Sequence, residues 1–552
     1  MGSTRFRPRL LAAAAAASSL VAAGPSPGDA GPDGDPLIPF STLYGGSSAE
    51  SDPMMAEGPD GVLWLAFTSH SPDLPGEPDQ GILPGDEETD VAGAGDVRVL
   101  RFDPVAREVL SSLRLEGVRG TVRGLAVDGE GNAFVLGMTT HTGFPVTAGF
   151  SREALEPRDR DAFLARIHPD GSALAWAGLL GGTGDEMPTA LALAPGGDPV
   201  VYGMTQSDDF PLAAPLQRDR GGDYDLFLAR VAADGTALVH STFIGGDGRD
   251  LAGPLAVLPG GAFLLGGETE SSDFPAEDRL LSDREGTGGG FLLEVDAQGR
   301  SVVRGALLGD SLPWGLLASS GYGILLWGTT TDAEFPAAPP PHGMPGPAGE
   351  GSSDVFLARL SPDDWSVGAT ALYGGPWHER AMSASLGSGG VLWLAGDAPD
   401  GEGLPVPGAA RALQGSSANA FAAAFDAEDL ALLYATHLGG SGQDFGSTVI
   451  SAADGTAWVA GTTGSDDFPV VDPLQEGGPS RGSSDLFLCR LGAGDPSSRP
   501  GERPPGTAPP SRPRASWTSR CGRRTCAPAR RATPTPSTPE TPRSRSRSRS
   551  GP

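Results

Sequence analysis

Seven acidic residues stand where this chain could do chemistry. Asp185 and Glu186, Asp247 and Asp250, Asp310, Glu379 and Asp444 lie in segments that follow a recurring apolar stretch. That stretch usually ends in two small residues, as in "LAWAGLLGG" (174–182), "LVHSTFIGG" (238–246), "ATALYGG" (369–375) and "LYATHLGG" (433–440). Carboxylates gathered around one axis could bind a cation or an amine-bearing ligand. A convergent pair could serve as acid and base in an extracellular lyase or hydrolase. Trp377, beside His378 in a segment of the same kind, offers a ring on which a ligand could stack. A tight calcium site needs six or more oxygens, and one or two carboxylates per segment supply too few. Weak calcium binding is therefore the one metal expectation, and no other cofactor is expected. A solvated acidic surface with turn-capping Asp is the more economical reading of the same residues.

Other catalytic signatures are missing. The seven histidines show neither H-x-x-x-H nor H-E-x-x-H spacing, so there is no zinc signature. No G-x-S-x-G elbow or phosphate-loop motif occurs. The formal charge is −30, and all 39 basic residues are Arg. Thirteen of these fall in 493–552, so the acid excess is concentrated upstream, where it disfavours nucleic acid and anionic membrane surfaces as partners.

The elements that must position the acidic residues are repeats. "QSDDFPLAAPLQ" (206–217) and "GSDDFPVVDPLQ" (464–475) are nearly the same loop, written twice. Such a loop follows stretches such as "AFVLGMTT" (133–140), "VVYGMTQ" (200–206), "FLLGGET" (263–269) and "AWVAGTT" (457–463). It precedes "DAFLARI" (161–167), "DLFLARV" (225–231), "DVFLARL" (354–360) and "DLFLCRL" (485–491). These are short runs of Val, Leu, Phe and Trp bounded by Gly, Asp, Asn and Pro, the pattern of strands and tight turns. Four such elements per repeat make a four-stranded antiparallel meander, and the third element recurs about every 65 residues, in seven places. In the Phe-Pro loops, Phe is expected to plug a gap between sheets, Pro to set the turn, and Asp to bond free loop amides.

The ordered elements "HSTFIGG", "GNAFVLGMT", "SDDFP" and "DLFLARV" resemble the bacterial β-propeller repeat family called SBBP, over about 39–491. The resemblance implies an all-β, seven-bladed β-propeller of four-stranded blades in an exported protein, and no known catalytic residues. The chain departs from the pattern at "RLEGVRG" (114–120), "LLGDSLPWG" (307–315) and "GEGLPVPG" (401–408). "PFSTLYGG" (39–46) is a fourth element with no first three before it, and "DLFLCRL" is a third element with no fourth after it. The N-terminal strand is therefore expected to close the last blade.

Outside that body, residues 1–23 read as a secretory signal: a basic start, an Ala-rich apolar run and small residues. Residues 24–38 read as a linker, 39–492 as the propeller, and 493–552 as a disordered Pro, Arg, Ser and Thr-rich tail. A frame-shifted reading of GC-rich DNA accounts for that tail as well as surface tethering or RNA binding does. The expected protein is a secreted, periplasmic or cell-surface monomer without a transmembrane segment. It would act as a binding or scaffold module for a protein, glycan or small molecule.

Overall fold

Short strands punctuated by Asp-Gly and Gly-Asn turns have one way to satisfy their backbone, which is to pair with one another. The computed structural model describes residues 38–75, 95–150, 160–281, 288–332, 334–336, 353–375, 377–398, 404, 419–474 and 484–492. These all lie within the first of two compact units, Met1–Pro500. The leader, the linker up to residue 37, the tail and most of 401–408 fall outside the described residues. The described residues are all-β, and no helix among them is long and apolar enough to cross a membrane.

The chain opens with β1 (Phe40–Tyr44). There follow β2 (Glu50–Glu57), β3 (Leu63–Ser69), β4 (Gly95–Asp103), β5 (Glu108–Val127), β6 (Ala133–Thr139), β7 (Asp161–Ile167) and β8 (Leu174–Leu180), which pair in sequence order as one sheet. Next, β9 (Glu186–Leu193), β10 (Pro199–Thr205), β11 (Asp225–Val231) and β12 (Leu238–Ile244) form a four-stranded meander. In the sheet after it, β13 (Asp250–Val257), β14 (Phe263–Thr269), β16 (Gly289–Val295) and β17 (Val302–Gly309) are joined by the two-residue β15 (Asp278–Arg279) at the outer edge. Two more meanders are β18 (Ser311–Ser319), β19 (Gly323–Thr330), β20 (Asp354–Leu360), β21 (Val367–Tyr373), and β22 (Arg380–Leu386), β23 (Val391–Ala398), β24 (Asn419–Asp426), β25 (Leu432–Leu438). Finally, β26 (Asp444–Ser451), β27 (Ala457–Thr463) and β28 (Asp485–Leu491) take β1 as their fourth strand, with Phe40 opposite Arg490 and Tyr44 opposite Leu486.

One departure from the repeat changes the sheet pattern. Residues 114–120 form no loop. Instead β5 runs through them as one 20-residue strand, pairing with β4 in its first half and β6 in its second. "RLEGVRG" has no Gly-Gly pair to turn on, its Leu115 and Val118 are buried along with Val122 farther on, and the chain bends only at Gly117 (φ +74°).

Apolar clusters lie between neighbouring sheets. One joins Phe134, Leu164 and Trp176 to Val201, Phe227 and Phe243 of the following sheet. Another joins Phe40, Trp458 and Leu488 of the terminal sheet to Leu65, Phe67 and Phe102 of the sheet that starts at β2. The first strands also meet in succession: β2 meets β5, then β9, β13, β18, β22 and β26, and β26 meets β2 again. Among the described residues no sheet closes on itself, and neighbouring sheets are joined by side-chain packing and by backbone bonds such as Glu50 N–H to Ser484 O (3.0 Å) and Asp250 N–H to Tyr224 O (2.8 Å). The second-strand glycine of the repeat has a steric cause. A Cβ on Gly203 would lie 2.7 Å from the Phe227 ring, so a side chain there would push out the central aromatic of the third strand.

Candidate functional site

The acidic residues divide into an exposed set and a buried set. Asp247 and Asp310 are exposed, and Asp185 is half-buried, 3.9 Å from Arg160. Glu186, Asp250, Glu379 and Asp444 are buried at the start of a first strand, or just before it, and Glu50 holds the same position as the first residue of β2. Each of Glu50, Glu186, Asp250 and Glu379 stands at a junction between sheets, its N–H donated to a carbonyl just ahead of the preceding sheet's third strand: Ser484, Arg160, Tyr224 and Ser353.

The repeat motif assembles that junction. The first carboxylate lies against an Asp that opens the third strand of the preceding sheet. A Cβ on Gly181 would sit 2.3 Å from Glu186 Oε2 and 2.4 Å from Asp161 Oδ1, so the first glycine of the pair makes room for both groups. The Gly45 and Gly245 positions do the same for Glu50 with Asp485 and Asp250 with Asp225. The second glycine donates its N–H to the first-strand carboxylate: Gly46 to Glu50 (3.3 Å), Gly182 to Glu186 (3.1 Å), Gly246 to Asp250 and Gly440 to Asp444 (both 2.9 Å). Hydroxyls at the end of the second strand complete the set. Ser69 donates to Glu50, Thr205 and Ser207 to Glu186, Thr269 and Ser271 to Asp250, and Thr463 and Ser465 to Asp444.

The Phe-Pro loop supplies the next layer. Asp73 and Asp209 each accept the N–H of a loop residue, Ser47 and Thr183, at 2.8 Å, and Asp467 accepts that of Ser441 at 2.6 Å. This is the amide-bonding role expected of Asp209 and Asp467 in their Phe-Pro loops, and Asp73 plays it ahead of Leu74-Pro75. The preceding Asp208 instead reaches out to Arg220 at 2.9 Å. At the β4–β5 junction, Gly120 stands where the others have an acid, and Asp96 is instead 2.7 Å from Arg114.

Burial governs the chemistry of these carboxyls. It pushes Glu50 up to about 7, against hydrogen bonds from Ser71, Ser69 and Gly46, with Asp485 adding to the rise. Burial likewise raises Glu186, Asp225, Asp250 and Asp444. In the fold Glu50 keeps a proton that the unfolded chain releases near 4.5, so its contribution is full below that pH and is lost by about pH 7. Urea unfolding of wild type across this window is therefore expected to show declining stability, of which Glu50→Gln removes up to about 3 kcal/mol. Parallel pH profiles for the two proteins would show that Glu50 is not the group responsible.

Sequence reasoning missed a second population of residues. Trp314 on β18, Met382 on β22 and Phe445 on β26 are 42%, 42% and 37% exposed, although they lie on first strands. These three strands follow one another in the circuit. Trp314 is fixed by its Nε1–H, which donates to Thr329 Oγ1 at 3.0 Å. Trp377, 48% exposed, precedes β22, and Arg380 pairs with Asp397 at 3.0 Å at the start of that strand. Three first strands that follow one another in contact thus each carry an exposed large apolar side chain.

A family model described as a β-propeller repeat, SBBP, matches residues 115–145, which cover the second half of β5, β6 and the Phe144-Pro145 loop. No curated protein matches the sequence. Among solved structures, hydrazine synthase from Kuenenia stuttgartiensis aligns at 11% identity and TM-score 0.39, over 76% of this chain and 92% of that one. The Cps50 (Swd1) β-propeller domain from Myceliophteria thermophila aligns at 8% identity and TM-score 0.42, over 81% and 99%. A Dos1 propeller aligns at 11% and 0.38, over 82% and 96%.

Proposed function

We propose that this chain is an exported, seven-bladed β-propeller that works as a ligand-binding or scaffold module at or outside the cell surface. Counting β5 once for each half gives seven four-stranded units, and the circuit of first strands supports a ring around a central channel. The observation that carries the binding reading is the exposure of Trp314, Met382 and Phe445 on consecutive first strands, with Trp377 just ahead of β22. Large apolar groups held open to water on a rigid scaffold are what a recognition surface needs. A glycan, a peptide or a small molecule with a flat apolar face fits such a surface.

The alternative reading, a lyase or hydrolase, needs an accessible acid/base pair. Glu50–Asp485, Glu186–Asp161 and Asp250–Asp225 are all sealed by the loops that bond to them, which favours a structural role. Glycan, peptide and small-molecule screens of the full chain test the proposal. Trp314→Ala with Phe445→Ala is expected to weaken a hit roughly tenfold or more, with little change in melting temperature because both rings are partly solvated. Undiminished affinity in the double variant, or an absence of hits in all three screens, would overturn this site.

A further inference from the structure

One junction lacks the donors that satisfy the others. Glu379 receives the Gly375 N–H, but the hydroxyl at the end of its own sheet's second strand is gone: β23 ends in Ala398 where β3, β10, β14 and β27 end in Ser69, Thr205, Thr269 and Thr463. Its partner is Asp354, the first residue of β20, which is 0% exposed with no hydrogen bond to either carboxylate oxygen. Glu379 is 2% exposed, and its Oε2 also has no partner. At the junction of Asp250 the corresponding Asp225 accepts the N–H groups of Gly221 (2.8 Å) and Gly222 (3.0 Å). As at the other junctions, the Asp oxygen lies over the first glycine: a Cβ on Gly374 would lie 2.5 Å from Asp354 Oδ1. The Glu379 N–H donates to Ser353 O at 3.1 Å, which sets the two residues at one junction, yet no hydrogen bond reaches either Asp354 oxygen. Arg380 nearby is engaged with Asp397 at 3.0 Å, and His378 Nδ1 accepts the Ser353 N–H at 3.2 Å.

Buried carboxylates are found paired, hydrogen-bonded or on a metal, because desolvation without compensation is costly. Pairing with a base and hydrogen bonding are both missing at Asp354. We propose that Asp354 and Glu379 hold one divalent cation between them, with calcium as the ion. Two carboxylates balance its charge, and hard oxygen donors suit it. Main-chain carbonyls and water would complete the shell, a mixture that calcium accepts and magnesium, with its strict octahedron, resists. The weak calcium site that the sequence suggested for an acidic rim is thereby placed at a single buried junction. The proposal is independent of what the exposed aromatic row binds.

Calcium titration calorimetry on the full chain, stripped with chelator, is expected to show a single site filled at roughly millimolar calcium. Saturation should raise Tm by several degrees, with a smaller rise for magnesium. Asp354→Asn and Glu379→Gln should each abolish the calcium response. In calcium-free buffer each should melt no lower than wild type, because an uncompensated charge has been removed. Glu186→Gln, at a junction with its own donors, should keep the response. No single-site calcium heat from wild type overturns the proposal even if a variant fails to fold. So does a Tm shift that survives both substitutions, or one lost equally in Glu186→Gln.

Discussion

A chain lacking residues 39–46 is expected to melt far below the full chain and to self-associate. All five residues of β1 are buried, although they lie at one extreme of the described sequence. Phe40 sits 5.5 Å from the Trp458 ring and 6.0 Å from Phe102, so one side chain joins the last sheet to the first. Ser41 exchanges backbone hydrogen bonds with Val471 at 2.9 Å, and Thr42 Oγ1 accepts the Leu474 N–H at 2.9 Å. Burying a large apolar side chain contributes about 1.5–3 kcal/mol. Losing Phe40, Leu43 and Tyr44 together removes a large part of a typical margin of about 5–15 kcal/mol. The deletion also leaves β28 as an open edge, a template for pairing between molecules. Thermal melts with size-exclusion chromatography check this. A deleted chain that stays monomeric and melts with the full one would show that β1 is dispensable for closure.

Phe210→Ala and Phe468→Ala are each expected to cost about 3–5 kcal/mol, the range for truncating a fully buried Phe. The two rings are 3% and 5% exposed. Phe210 lies 4.7 Å from Phe227 and 6.0 Å from Phe243, and Phe468 stacks on Phe487 at 4.9 Å. Each ring pins a long loop to the third strand of its own sheet. Asp209 and Asp467 leave from the same loops to bond the neighbouring loop amides, so the loss should also loosen the carboxyl junction. Denaturant unfolding measures the cost. A change near zero for either variant would mean that the loop does not depend on its ring.

Much of this was legible because the repeat is written in short-range code. Strands, turns, the burial of Phe210 and the completion of the last sheet by β1 all follow from residues adjacent in sequence or from simple complementarity of the ends. The carboxyl junctions were not legible in the same way. Glu186 was singled out, but its partner Asp161 lies on the third strand of the preceding sheet, and only the packing of two sheets brings them together. A signal did exist. G-G-x-x-x-Glu or G-G-x-x-x-Asp recurs at 45–50, 181–186, 245–250, 374–379 and 439–444, and it would have added Glu50 to the set. The through-running β5 was hidden because nothing in "RLEGVRG" says whether its bend at Gly117 ends a strand. Trp314, Met382 and Phe445 escaped notice because alternation reports two faces, not which of them meets solvent at the inner edge of a sheet.

The seam that β1 makes with the last sheet also has a history in time. Ser41 on β1 donates its hydroxyl to Pro469 O, 428 residues farther on in the loop that precedes β28. On a ribosome, or threading through a pore, β1 appears early and must wait unpaired while nearly every other strand is made. Sheets in the middle of the chain can form from local contacts as they emerge, but the seam cannot. Joining it carries the entropy of the longest loop in the fold and comes last. Until then Phe40 and the faces of Leu65, Phe67 and Phe102 are sticky surfaces with no mate, which makes the waiting interval the hazardous stage in the life of this protein.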